Sequence, residues 1–105
     1  METHQDKKIA IIGYFTIIGC VIAMIMNSEK KYPFASFHNR QALGIFLLFF
    51  ALGYPVSYFD SWTVSSAFYL FFFILWIYGF IGALQYEQRE VPLLGKLFQR
   101  LFKGI

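Results

Sequence analysis

Between Ala42 and Leu84 the chain carries one charged side chain, Asp60, and a second uncharged stretch covers residues 9–26. Hydrocarbon offers backbone amides no hydrogen-bond partners, so runs of this kind pair their own amides along a helix. The eighteen residues of 9–26 reach about 27 Å as a helix, and the twenty-one of 64–84 about 32 Å. Either length crosses the hydrocarbon core of a bilayer.

Composition points the same way. Of the 105 residues, 58% are hydrophobic and 14% charged, against about 25% charged in a soluble domain. A chain this short has no interior large enough to hide so much apolar surface. One domain, 1–105, is all the length allows. The formal charge of +3 is small and sits at the ends of the apolar runs. It fits anionic lipid headgroups and gives no footprint for nucleic acid.

These features predict an all-α membrane protein: three transmembrane helices over about 9–26, 36–59 and 64–84, then a C-terminal amphipathic interfacial helix. Asn27 and Ser28 end the first span. Pro55 should kink the second or end its regular part. The connection 60–63 is short enough to make the second and third spans antiparallel neighbours, with Asp60 or Ser61 capping the third. Tyr58 and Trp62 suit an interfacial aromatic belt. In 91–103, Leu93, Leu94, Leu97, Phe98, Leu101 and Phe102 recur on one helical face. Lys96, Gln99, Arg100 and Lys103 fall on the other, and Pro92 takes the first helical position. The apolar face should enter the acyl boundary, with Lys96, Arg100 and Lys103 at the membrane surface; packing on a protein partner is the alternative.

With three spans, Lys7 and Lys8 lie on one side, and Lys30, Lys31, Arg40, Arg89, Lys96, Arg100 and Lys103 on the other. Seven against two predicts a membrane protein with its N-terminus outside and its C-terminus in the cytoplasm.

The chemistry-bearing residues are few. His38, Asn39, Arg40 and Gln41 enter the second span at its edge, where ionisable groups are costly. Antiparallel packing sets them level with Gln85, Glu87 and Glu90, forming a candidate polar cluster or partner site. Arg40 is expected to pair with Glu87 or Glu90, and Gln41 to bond across to the end of the third span; the plainer alternative sends Arg40 to lipid phosphates. Catalysis has no nucleophile–base pair to start from, since His4 lies in the N-terminal tail and His38 at an interface. No second histidine within a span suits haem, no Cys/His spacing suits zinc and no glycine-rich loop suits phosphate. No enzyme, cofactor or metal is therefore expected. Ile17-Ile18-Gly19-Cys20 looks like a lipoprotein box, but the apolar run continues past it, so Cys20 reads as a small buried hydrophobe in a retained helix. Gly13, Gly19, Ala23, Gly79, Gly82 and Ala83 read as close helix packing. The run Phe71-Phe72-Phe73 reads as bulk facing lipid or a partner.

Two stretches resemble a known family. Residues 31–43, with the order Phe37-His38-Asn39-Arg40-Gln41-Ala42, resemble its polar-loop opening of the second span. Gly82-Ala83-Leu84-Gln85 and Val91-Pro92-Leu93-Leu94-Gly95 resemble its closing segment, with Leu94 in place of the usual Ile. The family is the small bacterial membrane proteins related to the Tic-twenty subunit of the chloroplast inner-envelope import translocon. The resemblance implies a helical protein of the bacterial cytoplasmic (inner) membrane with no known enzymatic activity and, through the plant relatives, a role in protein translocation. Function is expected to be that of an accessory or assembly subunit in translocation or membrane insertion, with the lipid bilayer and other membrane subunits as partners. A small oligomeric pore or holin-like protein, or an accessory subunit of another membrane complex, are the alternatives.

Overall fold

The first uncharged stretch does not form one helix. In the computed structural model, which describes residues 5–105, it is split into α1, Gln5–Gly13, and α2, Ile17–Met26. Thr16 stands between them with extended backbone, and its hydroxyl accepts the Gly19 N–H at 3.1 Å as an N-cap. The two helices fold back on each other. The Ala23 side chain lies 3.5 Å from where a Cβ on Gly13 would stand; in a continuous helix these residues would be about 15 Å apart. Ile25, Met26 and residues 28–30 come to rest beside Gln5 and Ile9. The result is an antiparallel hairpin whose arms are each about 14 Å long, half of what was expected of one straight span.

The other two long elements form close to where the pattern sets them. α3 covers Pro33–Val56 and opens on Pro33, whose missing donor costs nothing in a first turn. It stops one residue past Pro55, as expected. α4 covers Trp62–Leu84, and the Ser61 hydroxyl caps it by accepting the Val64 N–H at 3.3 Å. Beyond α4 the chain turns through Tyr86 at φ 59°, with Glu87 N–H bonded to Gly82 O (2.8 Å) and Tyr86 N–H to Ala83 O (3.2 Å). This double bond closes the helix end on its own carbonyls. Five helices and no strand occur among the described residues. One helix, α4, is long and apolar enough to cross a membrane by length and composition; α3 has the length, but polar side chains fill its first turns.

The tail departs from expectation. Its helix, α5, covers only Gly95–Leu101. Leu93 at φ 70° and a Leu94 N–H to Pro92 O bond turn the chain at 92–94, so Pro92 does not start the helix. The apolar face also divides. Val91 and Phe98 are buried, and the Phe98 ring occupies the space a side chain on Gly44 would need, while Leu93 and Leu101 face outward. α5 thus packs on α3 rather than resting its whole apolar face elsewhere.

The hairpin also reverses the order of ends. Tyr86 donates its phenol hydrogen to the Asp6 carboxylate at 2.6 Å, which holds the phenol above its ordinary pKa. The start of α1, the connection 27–32 and the tail from Gln85 onward therefore share one end of the molecule. The expectation that residues 7 and 8 lie opposite the tail fails, because the chain returns at Tyr14–Thr16 instead of continuing. His4 lies outside the described residues.

The core is correspondingly lopsided. Every buried residue of α3 lies between Phe34 and Ile45, and α4 contributes Phe72, Leu75, Gly79, Gly82 and Ala83. The 52 Å long axis thus has four helices and the tail around one half, but only α3 and α4 around the other. There Phe50, Leu52, Tyr69, Leu70 and Phe73 are exposed. Phe72, expected as outward bulk, is buried against Phe49 and Phe68, whereas its neighbour Phe73 faces out.

Candidate functional site

The first three turns of α3 hold the most concentrated chemistry. His38, Asn39 and Gln41 are fully buried, facing the hairpin and the tail. His38 Nε2 lies 2.6 Å from the Glu87 carbonyl, which can only accept, so Nε2 carries the hydrogen. Nδ1 of the neutral ring then accepts from the Tyr14 hydroxyl at 2.7 Å. That fixes the hydroxyl's remaining role: its oxygen accepts the Gln41 amide hydrogen at 3.0 Å. The second Gln41 amide hydrogen goes to Arg89 O at 3.0 Å, and Gln41 Oε1 accepts the Val91 N–H at 2.9 Å. Every polar hydrogen of this relay of three side chains, Tyr14, His38 and Gln41, is thereby assigned.

The junction joins three pieces that lack helical partners: the hairpin turn, the start of α3 and the irregular chain 85–94. Trp76 Nε1 closes it from α4 by donating to the Tyr14 carbonyl. A second pair ties the top of the hairpin. Asn27 donates to the Ser36 hydroxyl at 2.8 Å and accepts the Tyr32 N–H at 3.0 Å, holding the α2–α3 connection. Asn39 donates to Ala23 O at 3.3 Å, while its Oδ1 is buried against Gly13 without a hydrogen-bond partner. A filled junction of this kind, bonded at all but the Asn39 Oδ1, clamps segments; among the described residues no group of three His, Cys, Asp or Glu could hold a metal.

The cluster drawn from sequence is thus only half assembled. His38 and Gln41 meet the tail backbone, and Gln41 bonds just past the end of α4, close to where it was expected. Arg40 does not pair with Glu87 or Glu90. Glu87 is held by Arg89 at 2.6 Å, and Gln85 bonds the same guanidinium at 2.7 Å. Arg40 donates instead to Gln99 Oε1 (3.3 Å) and Lys103 O (3.1 Å). The acids find other partners after the turn at Tyr86: Glu87 goes to the Arg89 guanidinium, which lies over the Tyr78 ring of α4 at 5.0 Å, and Glu90 lies against Gly95 beside Lys96 and Arg100. Lys96, Arg100 and Lys103 do not form one row either: Lys96 and Arg100 flank Glu90, while Lys103 joins Arg40 and Lys31 around a separate cleft. The sequence alone singles out neither Tyr14 nor Trp76, and marks Asn27 only as the end of the first span and Ser36 only as one of the polar residues opening the second. Inside or beside apolar runs they carry no local signal, and only the hairpin gives them partners.

The fold therefore defines an all-helical protein in which a half-length hairpin is clamped to a full-length one by a buried polar junction. No family model, curated protein or solved structure matches this chain.

Proposed function

We propose that the chain is a multi-pass protein of the bacterial cytoplasmic membrane, acting as an accessory or assembly subunit in protein translocation or insertion. In this reading α3 and α4, each about 35 Å long, cross the bilayer, and α1–α2 enters it to half depth. Irregular backbone at such a depth needs its polar groups bonded within the protein. The Tyr14 carbonyl accepts from Trp76, the Phe15 N–H donates to the Ile12 carbonyl and the Thr16 carbonyl accepts the Cys20 N–H, while Phe15 and Thr16 themselves face outward. All nine Lys and Arg residues lie toward the hairpin-and-tail end, and Asp60 alone marks the other. Nine against none supports a cytoplasmic placement for the start of α1 and for the tail, in place of the seven-to-two division.

The observation that carries the subunit role is the two-helix half of the molecule. Beneath the hairpin tip lies an open apolar groove of about 410 Å³, roofed by Phe15 and Ile17 and walled by Ile45, Phe49, Phe72 and Trp76. Two helices alone bury little of each other, and a neighbouring subunit's helix would complete the missing half. The likeness of residues 31–43 and 82–97 to the Tic-twenty-related proteins supports translocation as the setting. A self-assembled pore is disfavoured, since a pore needs a polar stripe along a span, and the polar side chains of α3 turn into the junction and the tail.

A photo-crosslinking residue in place of Phe50 or Phe73, followed by mild-detergent purification, tests this. Stoichiometric adducts with a different membrane protein are expected. Adducts only with a second copy of this chain would contradict the subunit role and favour the pore.

A further inference from the structure

The cleft between α3 and the end of the tail has a charge pattern that the junction does not explain. About 350 Å³ in volume, it is lined by Lys31, Ser36, Phe37, Arg40 and Lys103 among others. None of Asp6, Glu29, Asp60, Glu87 or Glu90 lines it. Its cations are bonded only to neutral acceptors. Lys31 Nζ donates to Gly104 O at 3.1 Å, and the two terminal nitrogens of Arg40 reach Gln99 Oε1 and Lys103 O. Arg40 Nε is buried with no acceptor at all. A guanidinium has five donors, so beyond these two bonds three remain without a protein acceptor. Even with a full negative charge on the Ile105 end, the cleft keeps two of its three positive charges.

We propose that this cleft binds the phosphate of an anionic phospholipid from the cytoplasmic leaflet. Arg40 is the planar donor that fits phosphate oxygens, while Lys31 and Lys103 are point charges on either side of it. The Ser36 hydroxyl at the cleft floor gives its one hydrogen to the Ile105 main-chain oxygen at 3.3 Å, so it donates to a phosphate only where that oxygen is displaced. The proposal rests on the membrane placement above. There, residues 33–40 of α3 occupy the first 10 Å or so of a span, the depth of the headgroups. A lipid held here would tie the tail to α3 by bridging Arg40 and Lys103, two residues far apart in sequence.

The test uses the full chain in nanodiscs of phosphatidylcholine alone or mixed with phosphatidylglycerol, with retained lipid counted by native mass spectrometry on release. Incorporation into either disc checks the membrane placement by itself. One retained phosphatidylglycerol is expected from the mixed discs. A Lys31→Gln/Lys103→Gln pair, both exposed and outside the core, should lower that retention about tenfold, and Arg40→Gln should do the same. Lys96→Gln/Arg100→Gln, which removes the same charge away from the cleft, should leave it unchanged. Circular dichroism confirms that each variant is folded, and the exposed pair carries the test should Arg40→Gln not fold. Equal loss in both double variants would mean bulk attraction and overturn the site, as would no loss in either. Inorganic phosphate competing as well as phosphatidylglycerol would overturn the lipid as its source.

Discussion

Gln41 is the residue on which the most backbone depends. It satisfies Arg89 O and the Val91 N–H, both from chain that has left α4 without regular structure. Gln41→Leu keeps the volume but strands these groups, at a cost of about 1–3 kcal/mol. Hydrogen exchange at the Val91 amide should speed up accordingly; unchanged protection would mean that another group holds the tail. Gly79 makes the same junction possible from α4. A Cβ there would stand 2.8 Å from the Tyr14 hydroxyl oxygen and 3.1 Å from Gln41 Nε2. Gly79→Ala should therefore destabilise by roughly 1–3 kcal/mol through overpacking. Gly53→Ala, with its nearest neighbour at 4.0 Å, should be neutral or gain up to about 1 kcal/mol of helix propensity. Denaturant titration of both variants in one detergent compares them directly.

Among the elements, α3 and α4 were legible in the sequence and the hairpin was not. The ends of α4 follow from Ser61, a local cap, and from the return of polar residues at Gln85. The break at Tyr14–Thr16 interrupts no apolar pattern, because the side chains on both sides are equally hydrophobic. What makes it stable is remote: Trp76 on the Tyr14 carbonyl, and His38 and Gln41 on its hydroxyl. Thr16 three residues before Gly19 was the local hint, since its hydroxyl caps α2. The candidate site was legible to the same degree. His38 and Gln41 stood out as costly polar groups, but their partners are main-chain atoms, which no composition reveals. α5 shows a third case. Seven residues are too few for an independent helix, and isolated helices below about 12 residues are marginal in water, so its form depends on Phe98 lying over Gly44. Gly44→Leu should displace that ring and expose Lys96 and Arg100 to trypsin, while Gly53→Leu should not. Equal cleavage rates in the two variants would detach α5 from α3.

At the scale of the whole molecule, the hairpin converts a three-span pattern into two long helices and a hairpin whose arms are less than half as long. One change in connectivity then accounts for three observations together: the buried half of the molecule, the exposed apolar half, and the gathering of all nine Lys and Arg residues toward one end. It also makes a different topology from the one that residue counting suggests. The measurement that decides between them is cysteine accessibility in a Cys20→Ala background. Lys8→Cys, Asp60→Cys and Lys103→Cys are each probed with a membrane-impermeant maleimide, in intact cells and after opening them. With the proposed membrane placement, the folded-back hairpin requires positions 8 and 103 to be protected in intact cells and labelled only once the cells are opened, with position 60 labelled from outside. Labelling of position 8 from outside while 103 stays protected would restore the three-span topology and contradict the hairpin.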